Sequence, residues 1–170
     1  MPVDGLLQGL PPQVGEGCRV LVLGSMPGAA SLAQVQYYAH PRNRFWPLMA
    51  ALCGFPTRLD YPERLSALRG AGIGLWDVIG QCRRRGSLDA DIVRGSEVAN
   101  DLPALWRAHP GIRAVAFNGG KAAQAFARHF PRGIPADVAA WALPSTSPAN
   151  ASYSFERLLS AWEPLRAQLR

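Results

Sequence analysis

Residues 20–28 read VLVLGSMPG, an unbroken apolar run that ends at Gly24 and passes into a turn of small residues. A continuous apolar run, unlike an alternating one, is typical of a strand covered on both faces, as in parallel sheets. Three similar runs follow, at Gly72–Ile79, Ile112–Phe117 and Val138–Leu143. The sequence therefore predicts four buried strands.

Helical patterns fill the gaps between these runs. They are predicted over Arg44–Cys53, Pro62–Arg69, about Asn100–His109, Lys121–Phe130 and Ser154–Leu169. Pro164 should kink the last helix, and Asn43 is a plausible N-cap of the first. Alternating strands and helices predict an α/β fold, a single three-layer α/β/α domain over residues 1–170 with a central four-stranded, mainly parallel sheet.

Length and composition exclude several classes of protein. The 170 residues suit about one domain, and 48% apolar with 18% charged residues excludes a disordered chain. No apolar run approaches the ~18 residues of a membrane span. Met1–Leu10 has no Lys or Arg, so we expect no signal peptide and a cytoplasmic protein. Three scattered cysteines, Cys18, Cys53 and Cys82, suit neither a disulfide framework nor a metal site, and no cofactor is expected.

The charge balance is strongly basic. Seventeen arginines and one lysine against twelve acidic residues give a net charge of +6. Such an excess favours a polyanionic partner, because neutralised phosphates release counterions. A basic surface without any such partner explains the charge equally well, so charge alone does not decide the function.

The loops at the carboxyl ends of the strands carry the chemistry, since ligands of open parallel sheets bind there. The turn GSMPG at 24–28 matches neither a P-loop nor a nucleophile elbow. After it, YYAHPRNRFW at 37–46 sets four aromatic residues among two arginines, a histidine and an asparagine. Phe45 and Trp46 are expected in the core, whereas aromatic rings beside basic groups suit the stacking of a nucleobase near phosphates.

Four motifs then stand in order at the predicted strand ends: GSMPG at 24–28, YYAHPRNRFW at 37–46, FNGGKA at 117–122 and LPSTSPAN at 143–150. Together they resemble the uracil-DNA glycosylase superfamily and, within it, the hypoxanthine-DNA (deoxyinosine) glycosylase branch, with the mismatch-specific uracil/thymine glycosylases as near cousins. The resemblance spans roughly residues 18–162. It implies a deaminated base that is flipped into a pocket and removed by hydrolysis of its N-glycosidic bond.

The resemblance implies a catalytic role for Asn43. In the mismatch-specific cousins the third residue of the first motif is an asparagine that holds the attacking water, and here that position is Met26. In the hypoxanthine branch the catalytic amide comes from the start of the following helix, which is Asn43 in this sequence. We therefore prefer a catalytic Asn43 to one that serves only as a helix cap.

The remaining contacts are also implied by the resemblance. Tyr38 stacks on the base, the Gly24–Pro27 turn faces it through the backbone of Ser25 and Met26, and Asn118 reads its polar edge. The residues expected to contact DNA are Arg42, Lys121, Ser145, Thr146, Ser147, Pro148, Ala149 and Asn150. Lys121 serves equally well as the start of a helix. Ser145 replaces the histidine of the uracil enzymes, so backbone N–H groups and Asn118 are expected to stabilise the departing anion.

The predicted function is a monofunctional DNA glycosylase of base excision repair that acts on hypoxanthine, with uracil and xanthine as further substrates. Its predicted partner is double-stranded DNA containing a deaminated base, and we expect a monomer that needs no membrane or obligate protein partner. One alternative is a mismatch-type uracil-DNA glycosylase acting on G:U pairs. A second is a non-catalytic lesion-binding module on the same fold. A third is a metal-dependent nucleotide enzyme built on Asp77, Asp89 and Asp91.

Overall fold

The computed structural model describes residues 5–170. The strands are β1 (Leu6–Gln8), β2 (Val20–Gly24), β3 (Ile73–Asp77), β4 (Ile79–Arg83), β5 (Val98–Ala99), β6 (Ala114–Asn118) and β7 (Ala139–Leu143). The α-helices are α1 (Ala29–Gln34), α2 (Phe45–Cys53), α3 (Tyr61–Ala71), α4 (Leu102–Ala108), α5 (Gly120–His129) and α6 (Phe155–Trp162). Two 3₁₀ helices cover Asp89–Asp91 and Glu163–Gln168. The expectation for the amino-terminal segment rests partly on residues 1–4, which lie outside the described residues.

Four strands form the main sheet, in the order β3-β2-β6-β7, and every pair is parallel. Val20 of β2 pairs with Ile73 on one side and with Ala114 on the other. The carboxyl ends of all four strands therefore lie along one edge of the sheet. The prediction of an α/β fold with a four-stranded parallel sheet is confirmed.

The central strand β2 divides the core into two halves, because neighbouring side chains point to opposite faces of the sheet. Val20 and Val22 pack in one cluster with residues of α2, α3 and α6, such as Phe45 and Trp162. Leu21 and Leu23 pack in a second cluster with residues of α4 and α5. All four β2 side chains are fully buried. This arrangement gives the predicted α/β/α layers.

Strand β7 differs from the prediction of strands covered on both faces. Ala139, Ala140 and Ala142 are exposed, and of the five residues in β7 only Leu143 is buried. β7 is the edge strand of the main sheet. A run of alanines is apolar enough to resemble a buried strand, although short side chains lose little when they face water.

The predicted strand Gly72–Ile79 is in fact two strands. β3 joins the main sheet, and after Val78 the chain enters β4, which pairs antiparallel with β1 and β5 in a second, three-stranded sheet. This second sheet was not predicted, because β1 has three residues and β5 only two. The junction places Asp77 at the carboxyl end of β3, where the two sheets meet.

Two helical segments also differ from the prediction. Helix α6 ends at Trp162, and Pro164 lies in the first turn of the 3₁₀ helix that follows, so the proline ends the helix instead of kinking it. Helix α1 lies between the GSMPG turn and the YYAHPRNRFW motif, where no helix was predicted. Within residues 5–170, no helix is both long enough and apolar enough to cross a membrane.

Candidate active site

The strand ends bring Gly24, Asp77 and Asn118 to one edge of the sheet, as the last residues of β2, β3 and β6. The turn after β2 is fixed against the β3–β4 junction: Val78 N–H donates to the Gly24 carbonyl and Ile79 N–H to the Ser25 carbonyl, both at 2.9 Å. The GSMPG turn is therefore held rigidly by the second sheet.

The side chains of this turn are engaged within the protein. Met26 is buried in the core cluster that lies on the α4 and α5 side of the sheet, and Pro27 is also buried. The Ser25 hydroxyl donates to the Asp89 carboxylate, at 2.7 Å from each oxygen. Recognition of a base by the backbone of this turn stays a prediction.

The two adjacent tyrosines have different environments. Tyr37 is a core residue whose hydroxyl donates to the Pro11 carbonyl at 2.8 Å. Tyr38 has a positive φ of 55°, which is uncommon for a residue other than glycine. Its ring stacks on Phe45 with centroids 4.0 Å apart, and its hydroxyl is buried without a hydrogen-bond partner. Such backbone strain is concentrated at functional sites.

Asn43 lies one residue before the N-cap of helix α2 and faces a cavity. The helix begins one residue later than predicted, so Arg44 and not Asn43 is the N-cap residue, and the Arg44 side chain makes no capping hydrogen bond. Asn43 still caps the helix in a looser sense, because its Oδ1 accepts a hydrogen bond at 2.9 Å from the N–H of Phe45, the first residue of the helix. Capping uses one lone pair of the oxygen, so a second lone pair and the Nδ2 group are left for another ligand.

A cavity of about 350 Å³ brings Tyr38 and Asn43 together. Trp46, His40 and Arg64 also line it, and the Arg64 guanidinium lies over the Trp46 ring at 5.7 Å. This volume lies within the range of pockets that hold small organic ligands. Tyr38, which is predicted to stack on the base, and Asn43, which is predicted to be catalytic, therefore line the same cavity.

Asn118 is engaged on both sides of its amide. Its Nδ2 donates to Thr146 Oγ1 at 3.0 Å, and its Oδ1 accepts from Thr146 N–H at 2.9 Å. Thr146 is fully buried, so its side chain is not available at the protein surface. These two bonds use one of the two Nδ2 N–H groups and one of the two Oδ1 lone pairs, so the amide keeps a donor and an acceptor. The assignment of Asn118 as the base reader stays a prediction.

The rest of the loop after β7 is held by its own polar groups. Ser147 N–H donates to Ser145 Oγ, Ala149 N–H to Ser147 Oγ, and Asn150 Nδ2 to the Ser145 carbonyl, at 3.0–3.1 Å. Pro148 is half-buried and Ala149 exposed. The loop forms a compact, ordered turn next to the strand ends, which suits a surface that contacts a DNA backbone.

Arg44 braces this loop, a role that the sequence did not suggest. Its backbone N–H donates to the Thr146 carbonyl at 3.1 Å. Its guanidinium donates to the carbonyls of Asn150, at 3.1 Å, and of Tyr153. In the sequence, an arginine beside a predicted DNA-contacting motif suggests phosphate binding. Nothing in the sequence indicated that Arg44 instead binds the backbone carbonyls of the loop after β7.

The predicted basic contacts lie at the surface. Arg42 and Lys121 are exposed, and Lys121 lies in the first turn of α5. Lys121 borders a second cavity, of about 130 Å³, together with Ser25 and Asp89. In the Arg83–Arg85 run, Arg84 is buried, whereas Arg83 and Arg85 are exposed.

Asp77 also lies at the strand ends, where the sequence suggested it only as a residue of the metal-dependent alternative. It is buried, and its Oδ2 has no hydrogen-bond partner. Burial, with a smaller contribution from the charge of Asp89, raises the pKa of Asp77 to about 7. Burial and the Asp77 charge together raise the pKa of Tyr38, and the Asn118 amide opposes this shift.

Across residues 5–170, no three His, Cys, Asp or Glu side chains form a group that could hold a metal ion, Asp77, Asp89 and Asp91 included.

The model of the uracil DNA glycosylase superfamily matches residues 11–166 of this sequence. The chain therefore belongs to the uracil DNA glycosylase superfamily. A protein from Methanosarcina acetivorans, whose solution NMR structure was determined as that of a candidate uracil DNA glycosylase, superposes with a TM-score of 0.77 at 33% identity, covering 95% of this chain and 96% of that one.

Two curated relatives specify the group within the superfamily. The hypoxanthine DNA glycosylase of Methanosarcina barkeri is 39% identical over 69% of this chain and 73% of its own length. The hypoxanthine DNA glycosylase of Methanosarcina acetivorans is 36% identical over 92% of this chain and 95% of its own length. The chain is accordingly an enzyme, a DNA N-glycosylase.

Proposed function

We propose that this glycosylase removes hypoxanthine from deoxyinosine in double-stranded DNA, with uracil and xanthine as further substrates. The observation that carries the proposal is the cavity of about 350 Å³ that both Tyr38 and Asn43 line. The names of the two curated relatives support the choice of hypoxanthine.

In this proposal the base leaves the helical stack and packs on the free face of Tyr38. Aromatic stacking contributes about 1–3 kcal/mol per base and tolerates different bases. Asn43 holds the attacking water through the groups that helix capping leaves free. Negative charge then grows on the departing base, where fixed hydrogen-bond donors stabilise it most. The net charge of +6 favours the phosphate backbone of the duplex as partner.

The test is single-turnover cleavage of duplexes that carry deoxyinosine, deoxyuridine or deoxyxanthosine opposite each normal base, followed by alkaline strand scission. Deoxyinosine should be cleaved fastest. Faster cleavage of uracil opposite guanine would favour the mismatch-type uracil glycosylase, and binding of every lesion without cleavage would favour the lesion-binding module.

Two substitutions separate catalysis by Asn43 from helix capping. Asn43→Ala should lower the rate by about 10²–10⁴, the range for a lost orienting or general-base group, while lesion binding persists. Asn43→Ser keeps an oxygen that can cap α2 but removes the amide, so it should restore the melting temperature without restoring the rate. An Asn43→Ala protein that cleaves within a few-fold of wild type would show that Asn43 is only a cap.

A further inference from the structure

Asp77 has the most unusual polar environment of the described residues at the strand ends. Its side chain is 4% exposed, and its Oδ2 has no hydrogen-bond partner within residues 5–170. Asn100 Nδ2 donates to the backbone carbonyl of Asp77 at 2.8 Å and not to the carboxyl group. A buried polar atom without a partner costs about 1–3 kcal/mol, so its presence requires an explanation.

A second unpartnered polar atom lies at the same place, the Tyr38 hydroxyl. Gly24 is what allows the two to approach. A Cβ on Gly24 would lie 2.5 Å from Asp77 Oδ1 and 3.3 Å from Tyr38 Oη. The two groups therefore meet over the one β2 residue that has no side chain, at the strand edge where open parallel sheets bind ligands.

This geometry suits a ligand that offers both a donor and an acceptor. A neutral carboxyl group has one O–H donor and a carbonyl acceptor side by side, whereas a carboxylate only accepts. Hypoxanthine and uracil each present a ring N–H beside an exocyclic carbonyl. A neutral carboxyl group matches that edge with two parallel hydrogen bonds. An ionised carboxylate has no donor for the exocyclic oxygen and would repel it.

We propose that Asp77, as a neutral carboxylic acid, reads the N–H and C=O edge of the flipped base, accepting from the ring N–H and donating its O–H to the exocyclic oxygen. This inference rests on the proposed function and identifies a specificity-determining residue for it. Tyr38 lines the cavity of about 350 Å³ and Asp77 does not, so the base must extend from the Tyr38 ring beyond that cavity toward Gly24, where the Tyr38 hydroxyl lies near Asp77. As the glycosidic bond breaks, the hydrogen bond to the exocyclic oxygen strengthens and the proton stays on Asp77. Asp77 thereby adds a donor to the one expected from Asn118, whose amide shares its hydrogen-bonding groups with Thr146.

The groups around Asp77 favour its neutral form at neutral pH. Asp89 faces it from the 3₁₀ helix after β4, and Tyr37 and Tyr38 face it from the loop before α2. Gly24 and Asn100, from β2 and the segment before α4, bring no charge. Burial and, to a smaller extent, the charge of Asp89 together raise the pKa of Asp77 to about 7. Burial also raises the pKa of both tyrosines, so these phenols stay neutral.

The experiment compares single-turnover cleavage of a deoxyinosine duplex at pH 6 and pH 8, at enzyme concentrations below saturation. Between these values the neutral fraction of a group with a pKa of about 7 falls roughly tenfold, and the wild-type rate should fall with it. In Asp77→Asn the amide keeps a donor and an acceptor but does not titrate. The ratio of its two rates should therefore shrink to less than twofold.

Two more variants complete the design. Asp77→Ala should be about 10²-fold slower than wild type at pH 6, as when one donor to a developing anion is removed, and only about tenfold slower at pH 8, where roughly a tenth of wild-type Asp77 is neutral. Asp137→Asn makes the same chemical change at an exposed residue that precedes β7, at the opposite edge of the sheet, and should keep the wild-type ratio. Circular dichroism at both pH values shows that each protein is folded.

The outcomes distinguish this inference from the proposed function. If the wild-type protein removes no deaminated base at either pH, the proposed function itself is wrong. A wild-type protein that cleaves deoxyinosine with the same pH ratio as Asp77→Asn overturns only the inference. A rate that rises with pH, or a folded Asp77→Asn that is inactive at both pH values, also overturns it, because the carboxylate would then be the required form.

Discussion

Asn118 and Thr146 are joined by two hydrogen bonds that run in opposite directions, from Asn118 Nδ2 to Thr146 Oγ1 and from Thr146 N–H to Asn118 Oδ1. Asn118 is the last residue of β6, and Thr146 lies in the loop after the neighbouring strand β7. Both residues are buried. The pair fixes the start of the predicted DNA-contacting loop to the sheet.

Removing the Asn118 amide should cost stability. Asn118→Ala leaves the Thr146 N–H and hydroxyl unpaired in the interior, which should lower the free energy of unfolding by about 1–3 kcal/mol. Thr146→Val, which removes only the hydroxyl, should cost less. Urea unfolding of both variants measures the difference. If Asn118→Ala unfolds like wild type but no longer prefers lesion DNA, Asn118 is the base reader and the pair is incidental.

Replacing Tyr38 should separate its ring from its hydroxyl. Tyr38→Ala should weaken binding to lesion DNA by about 1–3 kcal/mol through the loss of one base–aromatic stack. Tyr38→Phe keeps the ring and removes a buried hydroxyl that has no partner, so it should bind the lesion as wild type does and be at least as stable. Fluorescence anisotropy with lesion and undamaged duplexes makes the measurement. Equal affinity of both duplexes for wild type and Tyr38→Ala would show a tyrosine with no role in lesion recognition.

Asp77 should make the folded state less stable as the pH rises. Its pKa is raised to about 7 in the folded protein, whereas an exposed aspartate titrates near ~4. Between these values the folded state holds the proton and the unfolded state does not, so the free energy of unfolding falls by about 1.4 kcal/mol per pH unit, a few kcal/mol in all.

The comparison of Asp77→Asn with wild type isolates this effect, because the two proteins share every other titrating group. The variant should be more stable at pH 8, and the difference should shrink toward pH 4. Thermal unfolding across this range checks the prediction. Two curves that stay parallel from pH 4 to pH 8 would show that Asp77 titrates normally in the folded state.

The reaction should proceed without a covalent intermediate. A lyase needs an amine that forms a Schiff base with the sugar aldehyde. The chain has one lysine, Lys121, which is exposed in the first turn of α5. Borohydride should therefore trap no protein–DNA adduct during turnover, and strands should break only after alkali. An adduct that disappears in Lys121→Met would make this lysine the nucleophile.

Much of the fold could be predicted because its central strands are continuous apolar runs. Its helices are marked by capping residues and by apolar residues at helical spacing. Val20–Leu23 and Ile112–Phe117 mark the central strands well, since a strand buried on both faces has no polar positions. The second sheet was missed because β5 is two residues long and β1 three. Pairing of such short strands depends on tertiary contacts that local sequence does not encode.

The candidate site was predicted in part, for a similar reason. The sequence indicated Tyr38 and Asn43, which share a cavity, because an aromatic and an amide in a basic loop are unusual. It indicated Asp77 only as part of the metal-dependent alternative, since one aspartate within an apolar run carries no sign of its partners. The loss of hydrogen-bond partners on burial, which sets this carboxyl group apart, is visible only in three dimensions.

The long sequence separation between neighbouring strands has a consequence for how the enzyme acquires activity. Val20 must find Ile73 and Ala114 before the centre of the main sheet exists, and Asn118 must then be joined by Leu143 from β7. Closing such long loops costs entropy before the strand ladder forms, so this sheet should fold more slowly than a helical bundle, whose contacts are local. Because Asn43, Asp77 and Asn118 come together only through this sheet, a refolding chain should regain helical signal well before it regains glycosylase activity.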